Sequence, residues 1–154
     1  MNINFYKYHG TGNDFIIIDD RNNTFDSSNF NLIASLCKRN FGIGADGLIL
    51  LRNHSNYDFE MLYFNSNGHE STMCGNGARC IVAFANKLDI IGPNTVFKAI
   101  DGVHKAKIIK HNITLQMTDV LDIKKKNNLC LLNTGSPHCV KLVDDIYSYD
   151  VLEK

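Results

Sequence analysis

The sequence has no net charge and few residues that would break the chain into separate parts. Its 154 residues include 16 Lys and Arg against 16 Asp and Glu, so the formal charge is zero. A bulk electrostatic attraction to nucleic acid or to an anionic membrane is therefore excluded. There are only two prolines, and no Gly/Ser-rich or Pro-rich tract is long enough to act as a linker. We therefore expect one domain, residues 1–154, with a packed core.

The sequence also lacks a long apolar run, a leader-like start and an even set of cysteines. No segment approaches the length of a membrane span, and no basic start is followed by an apolar stretch. The five cysteines are odd in number, so at least one thiol stays unpaired in any disulfide scheme. These absences predict a soluble cytoplasmic protein with reduced thiols. His69 and Glu70 complete no metal motif with the nearby cysteines, and we expect no metal.

What the sequence does contain is a series of short apolar and β-branched segments with turn signals between them. Segments of this kind predict buried strands. Asp101-Gly102 separates two of them and predicts a hairpin, and Asn67-Gly68 predicts a tight turn. The charge run Lys124-Lys125-Lys126 predicts an exposed loop. The predicted strands are Phe15–Ile18, Leu48–Leu51, Tyr57–Phe64, Thr95–Ile100, Val103–Ile109 and Ile113–Met117.

Two segments have the apolar periodicity of helices. We expect Ser27 or Ser28 to cap the first, which ends before Phe41-Gly42. The second runs from about Asn76 to Lys87, and its apolar positions cover enough of the circumference to predict deep burial. A strand-rich chain with one mostly apolar helix is typical of an α+β domain in which a sheet curls around a central helix.

Cys74 is the strongest candidate for chemistry, because it precedes Gly75-Asn76-Gly77 at the start of the second helix. Unsatisfied backbone N–H groups and the positive end of the helix dipole favour a thiolate there. Such a thiolate can act as a base or nucleophile, and the glycines let a substrate carboxylate approach the same N–H groups. The alternative is that Cys74 is a small buried residue and the glycines only form a turn. We interpret Cys80, inside the helix, as a core residue.

Two further segments are rich in glycine, His9–Phe15 and Gly42–Gly47. Each leads into a strand-like segment rather than a helix, which argues against a dinucleotide-binding loop. We interpret both as turns that bring polar groups, Asn13 in particular, toward a site. A third segment, Asn133–Cys139, lies between two apolar runs and predicts a loop. A histidine in that loop, His138, either tunes a thiol or is solvated.

Together these segments resemble the diaminopimelate epimerase family. The motifs follow in order at family-like spacing and extend from Lys7 to His138, nearly the whole chain. The resemblance implies an α+β fold with a mixed, strongly curved β-sheet around a central helix, one of two pseudo-symmetric halves. It also implies an isomerase that interconverts L,L- and meso-2,6-diaminopimelate without pyridoxal phosphate or any other cofactor, on the route to lysine and peptidoglycan. The motifs are His9–Phe15, Gly42–Gly47, Tyr63–Gly68, Met73–Cys80 and Gly135–His138.

The same resemblance implies roles for individual residues. Cys74 corresponds to one of two catalytic cysteines on opposite faces of the substrate α-carbon, of which one removes a proton and the other donates one. His138 corresponds to a modulator of the pKa of the thiols. Gly47 and Ser136 stand where many relatives have Gln and Asn as substrate contacts, so Gly47 can offer only backbone and Ser136 only a shorter hydroxyl. The other implied substrate-binding residues are Asn13, Asn65, Gly75 and Asn76.

The chain departs from the family pattern at its end, Val151–Lys154. In the family a second, similar half supplies the other cysteine and a Glu-Arg pair that binds the α-carboxylate. This sequence has no Glu-Arg dipeptide and no second cysteine at a glycine-rich helix entrance. We therefore expect the N-terminal half of an epimerase, inactive alone, whose partners are diaminopimelate and a C-terminal half. A homodimer is a further option, and neither nucleic acid nor membrane is expected as a partner.

Three alternatives remain open at this point. A related isomerase that needs no pyridoxal phosphate could act on another substrate, since Gly47 and Ser136 occupy positions that determine specificity. A cysteine hydrolase or acyltransferase would use Cys74 as nucleophile and His138 as base. A non-catalytic ligand-binding domain would keep the fold and lose the chemistry.

Overall fold

A computed structural model describes residues 3–150 of the chain. The chain divides into two compact units between Met117 and Thr118. The assignment of residues 1–154 to one domain stays a prediction, and the chain end at Val151–Lys154 lies outside the described residues. The elements of the first unit are β1 (Tyr6–Gly10), β2 (Asn13–Asp19), α1 (Phe30–Cys37), β3 (Gly47–Arg52), β4 (Phe59–Asn65), α2 (Gly75–Lys87), β5 (Asn94–Ala99), β6 (Gly102–Ile109) and β7 (Asn112–Leu115). Those of the second are β8 (Ile123–Lys126), β9 (Leu129–Asn133) and β10 (Pro137–Lys141).

The first unit is a mixed sheet that curls around α2. Its seven strands lie in the order β1 to β7, with parallel pairing of β2 with β3 and of β4 with β5 and antiparallel pairing elsewhere. The helix α2 contacts both edge strands, β1 and β7, as well as β2, β3 and β4. A flat sheet could not bring both of its edges to one helix. The predicted α+β fold, with a curved sheet around a central helix, is therefore confirmed.

The strands β2 and β3 are buried on both faces, which explains their continuous apolar runs. Phe15 and Ile17 face the core around α2, together with Ile49 and Leu51. The residues that alternate with these along each strand face a second core against α1, whose buried helical members are Ile33 and Cys37. Since side chains alternate across a strand, one apolar run supplies both cores. The residues that alternate toward α1 are Ile16, Ile18, Leu48 and Leu50.

The first helix begins at a different cap from the one predicted. Asn29 precedes α1, and its side chain accepts the Leu32 N–H at 3.0 Å. Ser28 instead donates its hydroxyl and its N–H to Asp26 Oδ1, at 2.6 and 3.0 Å. The hydroxyl of Ser27 accepts from Arg52 at 3.2 Å. Because both serines are engaged elsewhere, the prediction that one of them caps the helix is wrong.

The second unit is an antiparallel sheet with β9 between β8 and β10. Two loop predictions are wrong here. Lys124–Lys126 is exposed as predicted, but it lies in β8 and pairs with β9. His138 lies in β10 opposite Leu132, and the turn is confined to residues 134–136, where Gly135 has a φ of 107°. None of the helices among residues 3–150 is long and apolar enough to cross a membrane.

Candidate active site

Cys74 occupies the N-cap position of α2, directly before the first helical residue. Its backbone is extended, with φ −94° and ψ 126°, and its carbonyl accepts the Ala78 N–H at 2.7 Å. The side chain makes no capping hydrogen bond and is half-buried. The first N–H groups of a helix have no partner within the helix, and the Cys74 side chain does not cap those that follow it. The predicted helix start is confirmed to within one residue.

Asn13 contacts the same helix entrance from the sheet. Its Oδ1 lies 3.5 Å from Cys74 Sγ, and the Asn76 side chain donates to that oxygen at 3.4 Å. Asn13 is the first residue of β2, after the tight turn Thr11-Gly12 from β1. A Cβ at Gly10 would lie 3.2 Å from Asn76 Cβ, so the glycine permits this close approach. The structure thus brings Asn13, Cys74 and Asn76 together.

Asp46 fixes the orientation of the Asn13 amide. The Asn13 Nδ2 donates to Asp46 Oδ2 at 2.8 Å, which leaves Oδ1 facing Cys74. This hydrogen bond is the main reason why the pKa of Asp46 lies below its usual range. Arg39 in turn donates to Asp46 Oδ1 at 2.7 Å. Our sequence analysis does not predict a role for Asp46, although it lies in the glycine-rich segment Gly42–Gly47. An acidic residue in a turn that brings polar groups to a site is the pattern that could have indicated one.

Gly47 and Asn65 face each other across β3 and β4. The Tyr63 hydroxyl donates to Asn65 Oδ1 at 2.9 Å, and burial raises the pKa of Tyr63 to about 12, so the phenol keeps its proton near neutral pH. A Cβ at Gly47 would lie 2.6 Å from both Phe64 O and Tyr63 Cε2. The backbone therefore leaves no space for a side chain at position 47, and Gly47 can contribute only main-chain groups.

The other two cysteines of the first unit belong to its cores. Cys37 and Cys80 are only 3% and 4% exposed, and Cys80 is a core residue as predicted. Burial raises the pKa of each thiol to about 11, which keeps both protonated and unreactive near neutral pH. Cys74 is therefore the one cysteine of this unit, among the described residues, that is not buried in a core. Among the described residues, no three His, Cys, Asp or Glu side chains are grouped closely enough to hold a metal.

His138 and Ser136 belong to the second unit. His138 Nδ1 lies 2.7 Å from Ser136 O and 3.4 Å from Thr134 Oγ1, so the histidine is held by the turn that precedes it. Cys139, its neighbour in β10, is exposed. The roles of His138 as a modulator of a thiol and of Ser136 as a substrate contact stay predictions.

A curled mixed sheet around one helix, with a cysteine at the entrance of that helix, places the chain in a known class of folds. It superposes on a phenazine biosynthesis protein of the PhzF family from Bacillus anthracis with a TM-score of 0.67, covering 90% of this chain and 55% of that one. It superposes on a probable proline racemase from Agrobacterium radiobacter with a TM-score of 0.62, covering 91% of this chain and 52% of that one. Sequence identities are 14% and 15%, so these likenesses concern the fold alone.

Within that class the chain belongs to the diaminopimelate epimerase family, whose model matches residues 5–120. It is 56% identical over 147 residues to the diaminopimelate epimerase of Flavobacterium psychrophilum, covering 95% of this chain and 57% of that protein. It is 35% identical over 168 residues to the diaminopimelate epimerase of Aquifex aeolicus, covering 97% of this chain and 60% of that protein. The chain therefore spans less than two thirds of the length of these curated relatives.

Proposed function

We propose that this chain is the N-terminal half of a diaminopimelate epimerase and that Cys74 is one of its two catalytic thiols. The observation that carries the proposal is the position of Cys74 at the N-cap of α2, half-buried and with its Sγ 3.5 Å from Asn13 Oδ1. Membership of the family supports diaminopimelate as the substrate, ahead of the other substrates that a related isomerase would take.

In the proposed reaction the Cys74 thiolate removes the proton from the α-carbon of diaminopimelate. The Cα–H bond breaks, its electron pair stays on the α-carbon, and an S–H bond forms at Cys74. A second thiol on the opposite face gives its proton to the α-carbon, which inverts the centre. In the reverse direction the two thiols exchange these roles, and no cofactor or external oxidant enters the balance.

The entrance of α2 supplies the stabilisation that such a reaction needs. Without a cofactor to delocalise the carbanion, its charge must be met by preorganised donors in a site that excludes water. The N–H groups of Gly75 and Asn76 at the positive end of the helix are donors of this kind, and they also suit a carboxylate. The absence of a side-chain cap from Cys74 is consistent with this role.

The remaining site residues are proposed as substrate contacts that surround this entrance. Asn13 and Asn76 already converge on Cys74, and Asn65 is held by Tyr63. Gly47 would contact substrate through its main chain alone, because its position has no space for a side chain. The second unit would add Ser136 as a contact and His138 as the group that tunes the thiols.

The second thiol and the Glu-Arg pair are proposed to come from the part of the relatives' length that this chain does not cover. The chain alone would then bind one face of the substrate and would not complete the inversion. We place the complete enzyme in lysine and peptidoglycan synthesis, as the resemblance to the family implies. We place it in the cytoplasm because a pair of reduced thiols requires a reducing compartment.

The proposal is tested by exchange of the substrate α-proton with deuterated water. We expect no enzymatic exchange with the chain alone, and exchange once the remaining part of the Flavobacterium psychrophilum relative is added as a separate polypeptide. Rapid exchange by the chain alone would contradict the half-site proposal. Exchange of another amino acid in place of diaminopimelate would support a related isomerase instead.

The role of Cys74 is tested in the same reconstituted enzyme. Cys74→Ser should abolish exchange, because a serine hydroxyl is too weak an acid and base for this step. Cys139→Ser is the matched control, since Cys139 is exposed on β10 and should be dispensable. A Cys74→Ser protein with full exchange would overturn the assignment.

A further inference from the structure

The buried polar side chains of the first unit include one whose purpose the proposed reaction does not explain. Asp20, Thr95 and His104 are the polar or charged residues that are buried among those described. Asp20 holds the turn before α1 through Thr24 and Phe25 N–H groups and pairs with Arg52. Thr95 donates its hydroxyl to Asp58. His104, 6% exposed, faces the β5–β6 hairpin turn.

His104 holds the carboxylate of Asp101 in a fixed place. Its Nε2 lies 3.2 Å from Asp101 Oδ1. The imidazole packs on the ring of Phe97, with centroids 5.5 Å apart, and Phe97 in turn stacks on Phe59. The main chain of Asp101 is exposed in the turn, but its side chain is only 14% exposed and is directed inward. A carboxylate aimed inward by a buried imidazole is an arrangement that a hairpin turn does not require.

The same carboxylate oxygen reaches the segment that ends at Cys74. Asp101 Oδ1 accepts the N–H of Met73 at 3.3 Å, and Met73 is the residue directly before Cys74. On the other side of Cys74, its carbonyl is held by the Ala78 N–H of α2. The main chain is thus bound immediately before and immediately after the position that presents the thiol.

We propose that Asp101, oriented by His104, is a positioning residue for Cys74. By holding the Met73 N–H, it fixes the extended backbone at the N-cap and keeps Sγ beside Asn13 at the entrance of α2. A residue held within a fraction of an ångström of its working position is what a thiol acting on a single α-carbon needs. This role rests on the proposed function, because it matters only if Cys74 carries the chemistry.

The experiment measures Cys74 directly in the chain of 154 residues, without substrate. The rate of carbamidomethylation by iodoacetamide near neutral pH is followed by mass spectrometry of the peptide that contains Cys74. Exchange of the Met73 amide with deuterated water is followed by NMR. Asp101→Ala removes the acceptor of the Met73 N–H, so exchange of that amide should become about tenfold faster. Because Cys74 then loses its fixed position at the helix entrance, its reaction with iodoacetamide should become about tenfold slower. The reaction of exposed Cys139 should not change.

Two further variants separate positioning from a general loss of stability. Asp101→Asn keeps an oxygen acceptor of the same length and should restore most of both rates. Thr95→Val removes the buried hydrogen bond between Thr95 of β5 and Asp58. It should lower the melting temperature without altering the reaction of Cys74. A rate at Cys74 that stays unchanged in Asp101→Ala, or falls equally in Thr95→Val, would overturn the proposal.

If Asp101→Ala does not fold, His104→Phe tests the positioning role of Asp101 instead. It keeps an aromatic ring on Phe97 but removes the donor to Asp101, and it should slow the reaction of Cys74 by a smaller factor; an unchanged rate would overturn the proposal. The readouts need no turnover, so they are independent of the proposed function. Full proton exchange by a reconstituted Cys74→Ser enzyme would overturn that function and leave the effect of Asp101 on Met73 intact.

Discussion

Asn13 shows how much of the candidate site depends on single amide and carboxylate groups. Its Nδ2 is taken by Asp46, and its Oδ1 is shared by Cys74 and Asn76. An amide has a donor end and an acceptor end, so binding one end determines what the other presents. The motif around Asn13 indicated a polar group near a site, but the partner that orients it lies 33 positions later in the chain. Only the fold brings the two together.

Gly47 provides the first prediction at this scale. Gly47→Ala should lower the free energy of unfolding by about 1–3 kcal/mol, because the new Cβ overlaps atoms that cannot move freely. It would meet the backbone oxygen of Phe64 and the buried ring of Tyr63, each at 2.6 Å. Urea unfolding measures the change. Gly92→Ala is the matched control, since a Cβ there has nothing within 4 Å. Equal stability of the Gly47→Ala and Gly92→Ala proteins would contradict the close approach.

At the scale of elements, α2 is the part around which the first unit is built. Phe84 is fully buried on its inner face, and its ring lies 4.7 Å from that of Tyr6 and 6.0 Å from that of Tyr8. The helix therefore holds the edge strand β1 through aromatic contacts. Since Cys74 directly precedes this helix and Gly10 ends β1, the same packing supports the site.

We expect Phe84→Ala to lower the free energy of unfolding by about 3–5 kcal/mol, because it leaves a large cavity in the core. Thermal and urea unfolding followed by circular dichroism would measure the loss. Phe41→Ala is the matched control: Phe41 is 90% exposed, and its removal should change stability very little. If the two substitutions lower the free energy of unfolding by the same amount, α2 is not the centre of the core.

The elements that could be predicted from sequence are those whose pattern is local. The apolar runs of β2 and β3 and the periodicity of α2 are legible because burial on one or both faces imposes them. The strand β8 could not be recognised, because its four residues are all exposed and carry no apolar alternation. Its pairing depends on β9 instead. The cap of α1 was misplaced for a similar reason, since Asp26 binds Ser28 and leaves Asn29 as the cap.

The residues of the candidate site also fall into those that a local pattern indicates and those that depend on contacts distant in sequence. The glycines around Cys74 indicate a helix entrance because their spacing is local, and the turn before β2 indicates that Asn13 lies near a site. The resemblance to a family added Asn65 and Asn76. Asp101 carried only a turn signal, because its contact with Met73 crosses 28 positions and depends on a buried histidine. Residues that position a site through tertiary contacts have no local pattern from which they could be recognised.

At the scale of the whole molecule, an ion-pair network makes stability depend on acidity. Lys7 and Arg39 bind Asp14 at 2.7 and 2.8 Å, and Arg39 also binds Asp46 at 2.7 Å. Arg39, and after it Lys7, hold the pKa of Asp14 well below its usual range. The hydrogen bond from Asn13, followed by those from the Asp14 N–H and from Arg39, lowers the pKa of Asp46. A carboxyl with a lowered pKa in the folded state stabilises the protein above its unfolded pKa and loses that effect as pH falls.

We therefore expect the free energy of unfolding to stay level from neutral pH down to about pH 5 and to fall below about pH 4. Each pair should contribute only weakly to the free energy of unfolding, because Arg39 is 58% exposed and water screens the charges. Urea unfolding at several pH values measures the slope. Arg39→Ala should flatten it, since both carboxyls then titrate closer to their usual range. An unchanged slope in Arg39→Ala would show that other groups govern the acid response.

The division of the chain at Met117 leads to the last prediction. Among the described residues, every member of the two cores lies at or before Leu115. Hydrophobic burial is the main favourable term in folding, so a chain that keeps both cores keeps most of its stability. We expect a chain that ends after Met117 to unfold cooperatively in urea, with a melting temperature within a few degrees of that of the whole chain.

The shortened chain also tests the contribution of the second unit to the site. It keeps Cys74, Asn13 and Asn65 but lacks His138 and Ser136. The rate at which iodoacetamide modifies Cys74 is compared in the shortened chain, in the whole chain and in whole-chain His138→Ala. If the shortened chain and His138→Ala differ from the unaltered whole chain by the same factor, the difference is due to His138. Loss of cooperative unfolding on removal of residues 118–154 would contradict the prediction, because it would mean that the first unit depends on contacts beyond its own cores. Retention would make this unit the part of the chain that folds the helix entrance around Cys74 by itself.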